Sequence, residues 1–416
     1  MNRRSFLLIA PYLGASLLSV VAFFAGASFA SETIVESAAL YCPVVSEDGT
    51  TTLWYDGYKT SRVAADARVT DAAGSGIRDL ASLADAIGAE PDWSDVKIGE
   101  TIGAELNDVV YARLTLDDGV VTAIEATSRA PRPLVGIAWV GEKVTKTQIK
   151  VAGTLLRNGA RAVCLPKVGD DASCDAALDG IDGLFMPGGA DVDPAYYGEE
   201  PYPHGSIGIE PVRDVSDILT TRAAIARNIP GWWVCRGEQT LNVALGGALI
   251  QDIPSYQGVR ALKGEFNPEE TSVLPDDGVP ATYGGREEKP CMPAHYRVRA
   301  LGVNHSSGRN PFILTEESRF LRAIVGEGYP EPVTSHHQAA DPARIGKGLT
   351  ITAVAPDGIV EAIEYLGNDF ALGTQFHPEI DALSEKPELA EFCAAFFREL
   401  IAASRAFAQK RAGAAL

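Results

Sequence analysis

Apolar runs and helix-spaced apolar positions alternate most clearly from residue 134 onward. Residues 134–140, 161–166, 183–186 and 232–235 read as short buried strands, and 146–158 and 214–227 carry the 3.6-residue spacing of helices. Strands alternating with helices imply βαβ units, that is, a mostly parallel sheet with helices on both faces. In such sheets ligands bind beyond the carboxyl ends of the strands.

The pattern before Pro131 is different. Ile77, Leu80, Ala84 and Ile87 recur at helical spacing, and two strand-like runs further on meet at Asp118-Gly119, a dipeptide suited to a tight turn with positive φ. Residues 31–131 are therefore expected to form a small N-terminal α+β domain. No grouping of acids, histidines or cysteines in it implies chemistry, which leaves partner binding or docking onto the second domain as its roles. Pro131 and Pro133 mark the boundary, and residues 132–416 form the second domain. Within that domain, 254–295 is rich in Gly, Pro and acids and reads as a long irregular segment, either a lid or substrate loop or a disordered one.

A chain of 416 residues, 46% hydrophobic and 22% charged, is long enough for two or three cores. Its formal net charge of -19 argues against binding nucleic acid by phosphate neutralisation. Residues 1–30 have the basic start, apolar stretch and small-residue end of an export signal, and Arg3-Arg4 resembles a twin-arginine signal cut before Ser31. A periplasmic or extracellular location follows, with an uncleaved membrane anchor as the alternative. Of the six cysteines, Cys164 and Cys174 are close enough in sequence to pair; Cys42, Cys291 and Cys393 are isolated, and there is no CxxC.

Three loops carry candidate chemistry. Gly188-Gly189 follows an apolar strand, and the lack of side chains lets backbone N–H groups approach a ligand. Asp191 and Asp193 beside it suit turn or capping roles better than a cation site. Cys235 lies between a strand and a helix, where a helix N-terminus favours a thiolate and the next N–H is free. On its own, it reads equally as a buried structural thiol. His377 and Glu379 are two apart on a strand-like segment, which places both side chains on one face and lets the carboxylate orient the imidazole. Together the three loops satisfy the logic of nucleophile, base and orienter.

The segments "MPGGADVDPAYYG", "VRDVSDILTTRAA", "CRGEQTLNVALGGALIQDI", "TSHHQA", "APDGIVEAIE" and "QFHPE" resemble the γ-glutamyl-γ-aminobutyrate hydrolase family of class I glutamine amidotransferase-like enzymes, over about residues 134–400 and in the family's order. The resemblance implies a flavodoxin-like doubly wound sheet. It also implies a Cys235-His377-Glu379 triad, an oxyanion hole from the backbone of Gly189 and Arg236, and substrate contacts from Gly188, Gln239, Thr334, His336 and His337. The implied reaction splits a small γ-glutamyl amide through a glutamyl-thioester and uses no metal or organic cofactor. One departure stands out: relatives carry glycine two residues before the nucleophile, and this chain carries Trp233. A ligand-binding protein that has lost activity on the same scaffold is the alternative, and the glutaminase half of a biosynthetic amidotransferase is a third reading.

Overall fold

The structure is a computed structural model and describes residues 32–414 except 47, 75, 202–207, 275–281, 284–285, 288–296 and 327. The signal-like residues 1–30 lie outside the described residues. Among the described residues no helix is long and apolar enough to cross a membrane.

The N-terminal part is a closed five-stranded barrel. It comprises β1 (Glu32–Val45), β2 (Thr51–Tyr55), β3 (Lys59–Asp71), β5 (Val109–Asp117) and β6 (Val120–Ala130), with α1 (Leu80–Ile87) and the short β4 (Thr101–Ile102) between β3 and β5. Strand order is β1-β2-β3-β6-β5, and β5 closes on β1. The β5–β6 hairpin turns at Asp118 (φ 47°) and Gly119 (φ 76°). Leu40, Leu53, Leu114 and Ile124 fill the interior, and α1, capped by Asp79 and Ser82, buries Leu83 and Ile87.

The second part is built on a doubly wound sheet. Its parallel core comprises β7 (Leu134–Ile137), β8 (Arg161–Cys164), β9 (Gly183–Met186) and β10 (Gly231–Val234), together with β14 (Ala371–Thr374). Three antiparallel strands extend one edge: β11 (Ile313–Leu314), β12 (Leu349–Val354) and β13 (Val360–Tyr365). The full order is β11-β12-β13-β14-β10-β9-β7-β8-β4, so β4 of the N-terminal part completes the other edge.

Period-two alternation sends neighbouring side chains to opposite faces. Phe185, Trp232 and Val234 face α2 (Lys146–Arg157) and α7 (Pro387–Ala414), whereas Leu184, Met186 and Trp233 face α3 (Asp171–Leu178), α4 (Pro211–Ala226) and α5 (Arg236–Ala244). Arg132 ties the two parts together. Buried in the joint, it donates to the carbonyls of Asn107 (2.8 Å) and Leu156 (2.9 Å).

Two expectations are corrected. The segment expected to be irregular from residue 254 begins as a helix, α6 (Ile253–Leu262). Pro254 reads as a breaker, but it sits in the first turn, where no N–H is needed, and Asp252 caps the helix by accepting from Ser255. The rest of that segment falls largely outside the described residues. Cys164 and Cys174 do not pair. Both thiols are free and buried, Cys164 ending β8 and Cys174 facing the Leu219 carbonyl on α4.

Candidate active site

The carboxyl ends of β9, β10 and β14 carry the three loops. Val234 on β10 lies beside Thr374 on β14, and the Cys235 N–H donates to the Thr374 carbonyl (2.7 Å). Cys235 then turns sharply at φ 53°, ψ -109°, a conformation that L-residues adopt only under constraint, and occupies the N-cap of α5 without using its side chain as a cap. The thiol is thereby held at a helix N-terminus, facing a cavity, 3.9 Å from the Ser335 carbonyl. Gly237 makes the turn possible: a Cβ there would sit 2.6 Å from the Met186 carbonyl oxygen.

His377 and Glu379 do not lie on a strand. β14 stops at Thr374, and His377 precedes a 3-10 turn over Pro378–Asp381. The turn brings the pair together where strand alternation was expected to, with Nδ1 2.8 Å from the Glu379 carboxylate. Burial pushes the imidazole down, but the side chains of Cys235 and Glu379 outweigh it and hold His377 well above its usual pKa. Gly188 stands against both reacting groups, since a Cβ there would lie 3.1 Å from His377 Cε1 and 3.4 Å from Cys235 Cβ.

The diglycine loop is clamped from below. Arg213 on α4 donates to the carbonyls of Pro187 (3.2 Å) and Gly188 (2.9 Å), and a Cβ on Gly189 would fall 1.9 Å from Arg213 Nη1. The same guanidinium bonds Asp217 (3.2 Å). Asp217 also meets Arg236, whose other guanidinium nitrogen bonds Asp214 (2.6 Å). Arg213, Asp214, Asp217 and Arg236 are all buried, so this network couples the loop after β9 to the first residue of α5.

A cavity of about 340 Å³ opens in front of Cys235, lined by Gly189, Ala190, Asp191, Gly208, Gln239 and residues 335–338. Gln239 is fixed by the carbonyl of Gln338 (3.2 Å) and the side chain of Gln375 (3.1 Å). His337 bonds Asp191 at 3.0 Å. Burial works against its charge, but Asp191 and Asp252 raise it to about 9. His336 is buried in the cavity wall, with Nδ1 2.9 Å from the Gln338 carbonyl. Thr334 is not among the lining residues; its hydroxyl turns to the His305 carbonyl (3.4 Å), and Ser335 takes the place expected for it. Sequence reading also missed Asp191 as a partner of His337, because the two lie 146 positions apart. Asp193 caps a short turn by accepting from Ala195, as a turn residue should.

Trp233 is absorbed beneath the site. Its indole lies over Gly231, where a Cβ would meet Cη2 at 2.4 Å, and Nε1 donates to Thr221 on α4 (3.1 Å). The missing side chain at 231, two positions back on the same face, makes the room that relatives leave at 233.

A doubly wound sheet with a cysteine on the turn after a central strand, and a histidine-carboxylate pair beyond its neighbour, defines a class I glutamine amidotransferase-like enzyme. Residues 133–379 match Peptidase C26, and the chain belongs to that family. Membership makes it a hydrolase. It is 31% identical over 263 residues to Rv2859c of Mycobacterium tuberculosis, covering 60% of this chain and 70% of that protein. It is 27% identical over 257 residues to gamma-glutamyl-gamma-aminobutyrate hydrolase PuuD of Escherichia coli K12, covering 59% and 85%. Among solved structures, the glutaminase domain of Trypanosoma brucei CTPS with bound acivicin aligns with a TM-score of 0.40 at 16% identity, covering 65% of this chain and 93% of that one.

Proposed function

We propose that the protein hydrolyses the γ-amide bond of a small γ-glutamyl compound, with Cys235, His377 and Glu379 as its catalytic triad. The observation that carries this reading is the convergence of Cys235, His377 and Gly188 at one end of a cavity that has Gln239 on its wall. A protonated His377 beside Cys235 implies a thiolate ready to attack the γ-carbonyl. The oxyanion that forms is received by the backbone N–H groups of Gly189 and Arg236. His377 gives its proton to the departing amine, and the glutamyl group is left as a thioester on Cys235. The now neutral imidazole takes a proton from water, hydroxide adds to the thioester, and glutamate leaves as the thiolate is restored. Glu379 stabilises the imidazolium throughout. His336 and His337 contribute to the substrate wall, where His337 with Asp191 presents a polar patch to the glutamyl end or to the amine.

The substrate is proposed to resemble γ-glutamyl-γ-aminobutyrate, and the enzyme is proposed to meet it outside the cytoplasm, guided by residues 1–30. A panel of γ-glutamyl amides with mass-spectrometric detection of released glutamate tests both the reaction and the leaving amine. Absence of glutamate from every member of the panel, with folded protein, would overturn the proposal. Cys235→Ala is expected to lower kcat by about 10³ to 10⁶.

A further inference from the structure

Behind the cavity wall lies a second cluster that the proposed reaction does not use. His305, His336 and Glu361 are buried, and one ligand atom from each lies within 4.8 Å of the other two. Glu361 Oε1 is 3.1 Å from His305 Nδ1 and 3.6 Å from His336 Nε2. Donors bound to one zinc ion at ordinary lengths in a tetrahedral arrangement stand about 3.4 Å apart.

The remaining ring nitrogens are already committed. His305 Nε2 faces the Asp357 carboxylate at 3.0 Å, and His336 Nδ1 faces the Gln338 carbonyl at 2.9 Å. Each imidazole thus stands between two acceptors, while a neutral ring has one N–H. With that N–H given to the outer acceptor, the lone pairs of His305 Nδ1 and His336 Nε2 converge on a carboxylate oxygen, and none of these three atoms has a hydrogen-bond partner of good geometry. Protonating both rings would place two imidazolium ions with centroids 5.0 Å apart in the interior. A dication satisfies all three atoms at once. The outer contacts, one histidine to a carboxylate and the other to a backbone carbonyl, are the usual supports of metal-ligating histidines.

Charge points the same way. Glu238 on α5 is fully buried with neither carboxylate oxygen bonded, and Glu361 is the nearest acid acting on it. A cavity of about 30 Å³ against His305, His336 and Asp357 has room for a water as fourth ligand.

We propose that His305, His336 and Glu361 bind a divalent cation of the zinc type, with Asp357 supporting His305. The ion pins the 335–338 segment of the cavity wall to β13. This position is separate from Cys235, no step of the proposed hydrolysis runs through it, and it stands or falls independently of that proposal.

The test uses the full chain, stripped by chelator and titrated with zinc, with bound metal counted by mass spectrometry and melting followed by circular dichroism. Uptake of about one zinc per chain, with a rise in melting temperature, is expected. Substituted cobalt should lack thiolate charge-transfer bands, which separates this site from the free cysteines. Glu361→Gln should weaken binding more than about 100-fold, and Asp357→Asn, which leaves every ligand in place, by about 10- to 100-fold. Asp357→Asn carries the test if Glu361→Gln does not fold. A folded chain that takes up no zinc, or unchanged affinity in the variants, overturns the inference.

Discussion

Trp233 occupies a position where relatives have glycine, two residues from the proposed nucleophile, and the structure assigns it to the core and not to the pocket. Trp233→Phe tests that assignment. The indole is fully buried, and its N–H bonds the buried hydroxyl of Thr221 at 3.1 Å. Removing the donor leaves that hydroxyl with an unmet acceptor site, at a cost of about 1–3 kcal/mol. The smaller ring adds about 1–2 kcal/mol for lost burial and the cavity left over Gly231. A loss of about 2–5 kcal/mol is therefore expected from urea unfolding. Thr221→Val alone should cost less, because it removes the polar group together with its need. In the double variant the polar part cancels, giving a coupling of about 1–2 kcal/mol. Catalytic efficiency of the folded Trp233→Phe enzyme should stay within about threefold of wild type, since no lining residue moves. A drop of more than about tenfold in kcat/KM with unchanged stability would show that the indole shapes the pocket, and the reasoning would fail.

Gly189→Ala drives a methyl group into Arg213, which is buried and bonded on three sides, so it should cost about 2–4 kcal/mol and lower kcat by about 10²-fold as the oxyanion donor shifts. Arg213→Lys should not rescue it, because an ammonium lacks the planar fork; rescue in calorimetry and turnover would contradict the clamp. His337 has a folded pKa near 9 against an ordinary 6.5, so its contribution to stability is complete below pH 6.5 and is lost as pH rises through about 9. The stability advantage of wild type over His337→Gln should therefore be larger at about pH 6 than at about pH 10 in urea unfolding, and a constant difference would refute the ion pair. Arg132→Met should orphan the carbonyls of Asn107 and Leu156 and loosen the joint, seen as faster proteolytic cleavage near residue 131; an unchanged digestion pattern would argue against that role.

The parallel core was legible because each of its strands is a short apolar run bounded by polar turns, and the Cys235 and Gly188-Gly189 loops follow directly from where those runs stop. The barrel was not. Its closure depends on β3 pairing in parallel with β6, between residues more than fifty apart, and no local pattern encodes that partner. The His377–Glu379 contact was anticipated, but for the wrong reason: Pro378 opens a 3-10 turn, and the contact forms across that turn. Thr334 was misassigned because a two-residue strand there turns its hydroxyl away from the cavity. The His305–Glu361 cluster was invisible because its members come from three separate segments, and neither histidine stands in a recognisable ligand spacing.

The most direct test of the central claim is covalent labelling of the intact chain with a glutamine-analogue electrophile, followed by peptide mapping. The account predicts a single adduct on Cys235, lost in Cys235→Ala and strongly slowed in His377→Ala, with Cys42, Cys164, Cys174 and Cys393 unmodified in their buried positions. An unlabelled Cys235 in folded protein, or equal labelling when His377 is removed, would contradict it.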